Sequence, residues 1–317
     1  MKIVMLEKNS LGEGVSLKNL EVLGDFTAYE NTSYEETPER IKDAEVVLVN
    51  KIPMNEGSLG EAKNLKLLCV TATGTNIVDM DYCRSRGIVV TNVAGYSTFA
   101  VAQHTFALLF YVLEKLNYYD NYVKSGEYCK CPIFTHIDEK FWEIRGKVWG
   151  IIGLGNIGRE VAKIAEAFGA RVIYHSTSGR LQEGYEHADL DTLLATSDIV
   201  SIHAPLNAAT ENLMNMENFR KMKKSAILLN LGRGPIINEA DLAQALDEGI
   251  IAAAGLDVLS VEPMREDNPL CRIKDSRKLL VTPHIAWASM EARQSLADEV
   301  AKNIVAWMNN EKRNVVS

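Results

Sequence analysis

Cysteines are scarce in this sequence, and their spacing is irregular. The chain has 317 residues and five cysteines, an odd and scattered set that excludes a disulfide framework, so we expect reduced thiols. Cys129 and Cys131 are separated by one residue, where structural zinc sites use longer spacings, and no second pair lies nearby. We therefore expect no metal site.

Long hydrophobic runs, a signal peptide, internal repeats and an excess of positive charge are also absent. No apolar run approaches membrane-spanning length, and the chain is charged again at Glu7 after four apolar residues, too few for a signal peptide. The net charge is −8, and an acidic surface attracts neither nucleic acid nor anionic lipid. We expect a cytoplasmic protein without nucleic-acid or membrane partners.

Apolar residues make up 47% of the chain and charged residues 24%, as in ordinary globular proteins. The length exceeds what one core usually supports, so we expect two domains. Short apolar runs alternate with helically spaced segments, which favours doubly wound parallel sheets. The predicted strands are 2–6, 46–50, 65–72, 88–92, 148–152, 171–175, 198–203, 226–231, 252–258 and 279–282, and the main predicted helices are 159–168, 190–196, 216–222, 239–248 and 290–310.

A longer helical pattern covers residues 98–125, with tyrosines at 118, 119 and 122. Phe141 and Trp142 follow it. The pattern fits a helix that bridges two domains or two subunits, since a large apolar surface usually marks an interface. The alternative is a helix that is simply core.

A glycine motif follows the predicted strand 148–152. Gly153 permits a tight turn, Gly155 allows backbone to approach a pyrophosphate, and Gly158 allows close packing of helix on strand. Asn156 and Ile157 lie at the helix start, where free N–H groups face an anion. The strand before and the helix after are the context that dinucleotide binding requires; the alternative is a structural glycine turn.

Three chemically suitable residues follow successive predicted strands. Arg233 lies between two glycines, where its guanidinium could bind a carboxylate and a carbonyl oxygen together. Glu262 lies on the next loop, and His284, which can exchange a proton near neutral pH, follows the last strand. Singly they could be a surface cation, a solvated acid and a buried imidazole, but ligands sit beyond the carboxyl ends of parallel strands, so together they suggest one site.

The strand after the glycine helix lacks the acidic residue that accepts hydrogen bonds from an NAD ribose. His175 occupies its place, and Ser176 follows. We therefore expect that a 2′-phosphate can be tolerated, with Ser176, Thr177 and Arg180 as possible donors, although Arg180 could equally be a loop cation. NAD and NADP both stay open.

Taken together, these motifs resemble the D-isomer-specific 2-hydroxyacid dehydrogenase family, in particular its glycerate dehydrogenase and hydroxypyruvate reductase branch. The resemblance covers nearly the whole chain. Its motifs are residues 70–76 with Asp79, 96–97, 101–104, the glycine turn, 203–206, 230–234, 256–258 with 262–263, and 282–284.

The resemblance implies a dinucleotide-binding Rossmann domain at 98–285 and a smaller flavodoxin-like substrate domain at 1–97 and 286–317. It implies that Arg233, Glu262 and His284 form the catalytic set and that the backbone at Thr73 and Gly74 holds the substrate carboxylate together with Arg233. The residues implied on the cofactor side, besides Arg233 and the glycine turn, are Pro205, Thr210, Leu231 and Asp257.

The activity implied is the interconversion of a small D-2-hydroxy acid and its 2-oxo acid with NAD or NADP, with D-glycerate and hydroxypyruvate, or glyoxylate, as the expected substrates. D-Lactate or another 2-hydroxy acid stays open. So does a cofactor-sensing, co-repressor-like binding protein on the same fold. Dimeric relatives and the pattern at 98–125 predict a homodimer held by the glycine-turn domain.

Overall fold

The computed structural model describes all of residues 1–317. The chain forms two compact units, one of Met1–Ser97 with Ala288–Ser317 and the other of Thr98–Trp287. Each unit contains its own parallel β-sheet. None of the helices combines the length and the hydrophobicity that a membrane-spanning segment requires.

The first unit contains a five-stranded sheet with the strand order β2-β1-β3-β4-β5, which is the flavodoxin-like order. Its elements are β1 (Lys2–Met5), α1 (Lys18–Glu21), β2 (Asp25–Ala28), α2 (Thr37–Ile41), β3 (Val46–Val49), α3 (Glu56–Leu59), β4 (Leu67–Val70), α4 (Met80–Ser85), β5 (Val89–Thr91) and α11 (Met290–Met308). Every residue of β3 and β4 is buried, because helices cover both faces of a parallel sheet. The last helix, α11, packs on α1 and β4.

The second unit contains a seven-stranded sheet with the order β12-β11-β10-β9-β6-β7-β8, parallel throughout. Its elements are α5 (Thr98–Leu113), α6 (Leu116–Lys124), β6 (Val148–Ile152), α7 (Asn156–Ala167), β7 (Arg171–His175), β8 (Glu186–His187), α8 (Leu190–Thr196), β9 (Ile199–Ile202), α9 (Met216–Phe219), β10 (Ile227–Asn230), α10 (Glu239–Asp247), β11 (Ala253–Leu256) and β12 (Leu279–Val281). The order is that of a Rossmann sheet with an added edge strand, and the winding reverses between β6 and β9.

The predicted fold class, two doubly wound parallel sheets, is confirmed. All ten predicted strands are present, some of them one or two residues shorter at an end. The sequence patterns missed β2 and β8, because each is a short edge strand whose residues are not uniformly apolar.

The prediction of one long helix over 98–125 is wrong. Lys115 adopts a left-handed conformation, with φ 56° and ψ 37°, and separates α5 from α6. Helix α5 packs against α7 and against strands β10 to β12 and is therefore core. Helix α6 has no buried residue, and its three tyrosines are half-buried.

Candidate active site

Three neighbouring strands of the second unit, β10, β11 and β12, end at the same edge of the sheet, and each leads into a loop with one predicted catalytic residue. Arg233 follows β10, Glu262 follows β11 and His284 follows β12. Gly234 allows the first two loops to touch, because a β-carbon there would lie 1.9 Å from the carbonyl carbon of Leu259. The structure thus brings the three predicted residues to one edge.

His284 and Glu262 form a hydrogen-bonded pair. The imidazole Nδ1 lies 2.7 Å from Glu262 Oε2, and Glu262 Oε1 accepts a hydrogen bond from the backbone N–H of Leu259 at 3.0 Å. Because a carboxylate can only accept, Nδ1 carries the proton of this bond. The opposite nitrogen, Nε2, binds no protein atom, and about a quarter of the side chain is exposed, at 27%. The pair therefore orients a ring nitrogen that can exchange a proton.

Arg233 is partly buried, and its guanidinium is only lightly held. Nη1 donates to the carbonyl oxygen of Gly232 at 2.8 Å, and no other hydrogen bond or ion pair holds this side chain. Asn230, fully buried beneath the loop, donates to the Arg233 carbonyl and accepts from Gly232 N–H. The loop is thus fixed while most guanidinium donors stay available to an anion.

Asp257 follows β11 and is almost completely buried, at 1% exposure. Its carboxylate accepts from the Thr282 hydroxyl at 2.6 Å and from the backbone N–H groups of Ile285 and Ala286 at 2.9 and 2.8 Å. These contacts occupy the carboxylate with protein groups on either side of His284. A direct contact between Asp257 and a cofactor stays a prediction.

The glycine turn after β6 has the geometry the motif predicts. Gly153 has φ +93°, and a β-carbon there would lie 2.7 Å from the backbone of Ala204. A β-carbon on Gly158 would lie 2.4 Å from Gly153 O, so close helix–strand packing requires this glycine. Helix α7 begins at Asn156 without a side-chain cap.

The second glycine of the motif provides the test of fit for a dinucleotide. Nothing lies within 4 Å of the position a β-carbon would take on Gly155. Open space therefore lies beside Gly155 at the uncapped start of α7, where a pyrophosphate binds in this motif. The residues present fit such a group.

His203 lies at this edge in an unusual environment, and the sequence analysis placed it in the motif 203–206 without naming it as a site residue. It directly follows β9, where the winding of the sheet reverses, and both of its ring nitrogens are buried without a hydrogen-bond partner. Burial lowers the pKa of His203 to about 3, so the ring is neutral at physiological pH. No pattern in one sequence marks a histidine as unpartnered.

The end of β7 is where a ribose-binding acid is expected, and it carries neutral or basic groups instead. His175 Nδ1 lies 3.3 Å from the carbonyl oxygen of Ala188, which leaves Nε2 as the acceptor of a neutral ring. The Ser176 hydroxyl donates to Arg180 O at 2.8 Å. The Arg180 side chain is exposed, and His187 of the unpredicted strand β8 stacks near His175.

The remaining predicted cofactor residues lie on the loops after β9 and β10. Pro205 is exposed, whereas Thr210 is fully buried. The Thr210 hydroxyl donates to Pro205 O at 2.7 Å and accepts from Asn207 N–H at 2.8 Å, so it shapes this loop from beneath. Leu231 is 7% exposed.

The predicted substrate-binding residues Thr73 and Gly74 belong to the first unit, on the loop after β4. The Thr73 hydroxyl donates to Val93 O at 2.9 Å, and Asn92 Nδ2 donates to Thr73 O at 2.7 Å. These bonds fix the loop, while the N–H of Gly74 has no partner within the protein. A backbone N–H of this kind suits a carboxylate.

Known proteins with similar sequences and structures identify the family of this chain. Residues 106–286 match the family described as "D-isomer specific 2-hydroxyacid dehydrogenase, NAD binding domain". The chain is 39% identical to a glycerate dehydrogenase of Methylorubrum extorquens over 316 residues, which cover 99% of this chain and 98% of that protein. It is 39% identical to a hydroxypyruvate reductase of Blautia hydrogenotrophica, with both chains fully covered.

A solved structure with the same fold is an acyclic imino acid reductase in complex with NADPH and D-Arg. Its TM-score is 0.87 and its sequence identity 32%, and the similarity covers 100% of both chains. This coverage extends the likeness from the NAD-binding region to the whole chain. The chain belongs to the D-isomer-specific 2-hydroxyacid dehydrogenases, enzymes that use a nicotinamide dinucleotide.

Proposed function

We propose that this enzyme reduces a small 2-oxo acid, hydroxypyruvate or glyoxylate, to the D-2-hydroxy acid. The observation that carries the proposal is the His284–Glu262 pair, at 2.7 Å, on the same sheet edge as the lightly held Arg233. The names of the two relatives at 39% identity support hydroxypyruvate and D-glycerate as the substrate pair.

We assign the roles of the residues from their contacts and from the family resemblance. Arg233 binds the substrate and polarises the 2-oxo group through its available N–H donors. His284 gives a proton from Nε2 to the carbonyl oxygen, and Glu262, bonded to Nδ1, orients the ring and stabilises the imidazolium. Thr73 and Gly74 bind the substrate carboxylate through backbone N–H groups.

A nicotinamide dinucleotide, when bound, supplies the hydride for the substrate carbon. We assign its pyrophosphate to Gly153, Gly155 and the start of α7, and its ribose to His175 and Ser176. His175 lacks the charge that repels a 2′-phosphate, so we propose that both NADH and NADPH are accepted. The unit Thr98–Trp287 is then the cofactor domain, and the other unit is the substrate domain.

A panel of 2-oxo acids tested with NADH and with NADPH checks this function. We expect loss of nicotinamide absorbance with hydroxypyruvate or glyoxylate and formation of the D-product. Turnover with pyruvate alone would make the enzyme a lactate dehydrogenase instead. Cofactor binding without turnover of any 2-oxo acid would favour the co-repressor-like binding protein and refute the proposal.

We also infer a homodimer held by α6 and the segment that follows it. Hydrogen bonds between α6 and the segment after it fix the shape of this region: Tyr119 OH donates to Glu139 O at 2.7 Å, and Tyr118 OH lies 2.8 Å from His136 Nε2. Its apolar side chains face outward, with Phe134 89% and Ile137 73% exposed. Such a surface is normally covered, and a second copy supplies a matching apolar face.

Light scattering at micromolar concentration tests the dimer. We expect twice the mass of the 35.2 kDa chain, and a shift toward the single-chain mass when Phe134 and Ile137 are both replaced by serine. A wild-type mass near 35.2 kDa would refute the dimer. Replacing the exposed Val22 of the other unit by serine is the matched control.

A further inference from the structure

The backbone of His284 lies in the left-handed region, with φ +56°, which is unfavourable for a residue with a side chain. Such a conformation persists only when its surroundings fix it. Here the fixing group is Asp257, which holds Thr282 on one side of His284 and Ile285 and Ala286 on the other. One buried carboxylate therefore holds the chain on both sides of the residue that we assign as proton donor.

The Thr282 hydroxyl has a second contact that has no part in the mechanism described so far. His104, on α5, places Nε2 3.0 Å from Thr282 Oγ1 and 3.5 Å from Asp257 Oδ1. A threonine hydroxyl has one proton, and the 2.6 Å bond to the Asp257 carboxylate uses it. Thr282 must therefore accept from His104, and His104 must carry its proton on Nε2.

The surroundings of His104 favour this neutral form. Burial lowers the pKa of His104, and the nearby Asp257 carboxylate opposes that shift. A neutral ring with its proton on Nε2 donates to the Thr282 hydroxyl, and that hydroxyl donates to the Asp257 carboxylate, so the two hydrogen bonds form a continuous chain. Every member lies in the unit Thr98–Trp287.

We propose that His104, Thr282 and Asp257 form a clamp that fixes the backbone of His284, so that His104 and Thr282 are positioning residues for proton transfer. The clamp holds the loop, and Glu262 holds the ring. This proposal rests on the proposed function for its kinetic consequence, whereas the clamp itself can be tested in the cofactor-free protein.

The kinetic test compares Thr282→Val, which removes the bridging hydroxyl with little change in shape, with Thr282→Ser, which keeps it. We expect Thr282→Val to lower kcat about tenfold, the loss of one hydrogen bond to a charged group. The KM for the cofactor should stay within about twofold, and Thr282→Ser should recover most of kcat. His104→Leu should lower kcat in the same way and His104→Gln, which retains an N–H donor, should do so less.

Thr105→Val is the matched control. Its hydroxyl is buried on the same helix but donates only to Val101 O of that helix, at 2.8 Å, so kcat should stay within about twofold of wild type. Equal kcat in Thr282→Val and wild type would overturn the proposal. So would a Thr282→Ser variant as impaired as Thr282→Val.

Nitrogen NMR of the histidine rings in the cofactor-free protein tests the clamp without turnover. We expect the His104 signals, identified by their loss in His104→Gln, to report a neutral ring protonated on Nε2, and the signals of His284 to shift in Thr282→Val. A His104 ring protonated on Nδ1 would refute the clamp whatever the activity. An intact NMR signature in a protein that reduces no 2-oxo acid would instead refute the proposed function alone.

Discussion

The two halves of the carboxyl edge of the seven-stranded sheet are built in opposite ways. The half at β10 to β12 consists of side chains held by hydrogen bonds, with Glu262 on the His284 ring and Asp257 on the backbone around it. The half at β6 and β7 depends on glycines, residues without a side chain, at positions 153, 155 and 158. The first half should be sensitive to the loss of atoms and the second to their addition.

Removing the proton donor should have the largest effect. We expect His284→Ala to lower kcat for 2-oxo acid reduction by about 10²–10⁴, the usual contribution of a general acid. Cofactor affinity, measured by fluorescence titration, should change by no more than a few-fold, because the glycine turn lies at other strands. Nearly intact turnover would show that another group donates the proton.

In the half at β6 and β7, adding one carbon by Gly155→Ala should weaken cofactor binding. A methyl group on Gly155 meets no protein atom within 4 Å, so Gly155→Ala should fold with a stability within about 0.5 kcal/mol of wild type. It occupies the space assigned to the pyrophosphate, and we expect the cofactor Kd to rise about 10- to 100-fold, as for a steric conflict of this size.

Gly158→Ala is the contrasting variant. Its β-carbon would lie 2.4 Å from Gly153 O, so we expect a loss of about 1–3 kcal/mol of stability, measured by thermal or urea unfolding. An unchanged Kd in Gly155→Ala would mean that the pyrophosphate lies elsewhere.

His203 directly follows β9, the strand that pairs with β6 where the two halves meet, and it gives a prediction about pH. Burial lowers its pKa from 6.5 to about 3, so below about pH 6.5 the unfolded chain binds a proton that the folded chain does not. The free energy of unfolding should therefore decrease as the pH is lowered. This residue should account for about 2 kcal/mol of the decrease between pH 7 and pH 5. Urea unfolding of the cofactor-free protein at several pH values should show a smaller decrease in the free energy of unfolding for His203→Gln than for wild type. An equal decrease in both proteins would contradict the buried neutral ring.

The smallest expected effect concerns the choice of cofactor. Asp in place of His175 accepts hydrogen bonds from ribose hydroxyls and repels a 2′-phosphate, so His175→Asp should move the kcat/KM ratio toward NADH by about tenfold or more. Wild type should be much less selective for NADH than relatives with an acid there. A strongly NADH-selective wild type, or a ratio that does not move, would mean that another residue contacts the ribose.

The sequence predicted the parts of this molecule that depend on continuous patterns. Strands β3 and β4 are apolar throughout and buried throughout, and the glycine turn has the predicted conformation. Edge strands β2 and β8 were missed because solvent on one side removes the pattern. The break at Lys115 was missed because no glycine marks it.

The same limit applies to the site. Arg233, Glu262 and His284 could be named because each follows a predicted strand. The contact between His104 and Thr282 could not be predicted, because it joins residues 178 positions apart in the sequence. The unpartnered ring of His203 could not be predicted either, because it depends on the absence of any hydrogen-bond partner in the folded protein. Periodicity describes how one element is buried, and contacts between distant elements require the fold.

The most direct test of the division between the halves is to measure kcat at saturating cofactor and cofactor Kd together for His284→Ala and Gly155→Ala. We predict that His284→Ala loses kcat with Kd nearly unchanged and that Gly155→Ala loses affinity with kcat nearly unchanged. If each variant lost both quantities to a similar extent, the two halves would not act separately and this account would be wrong.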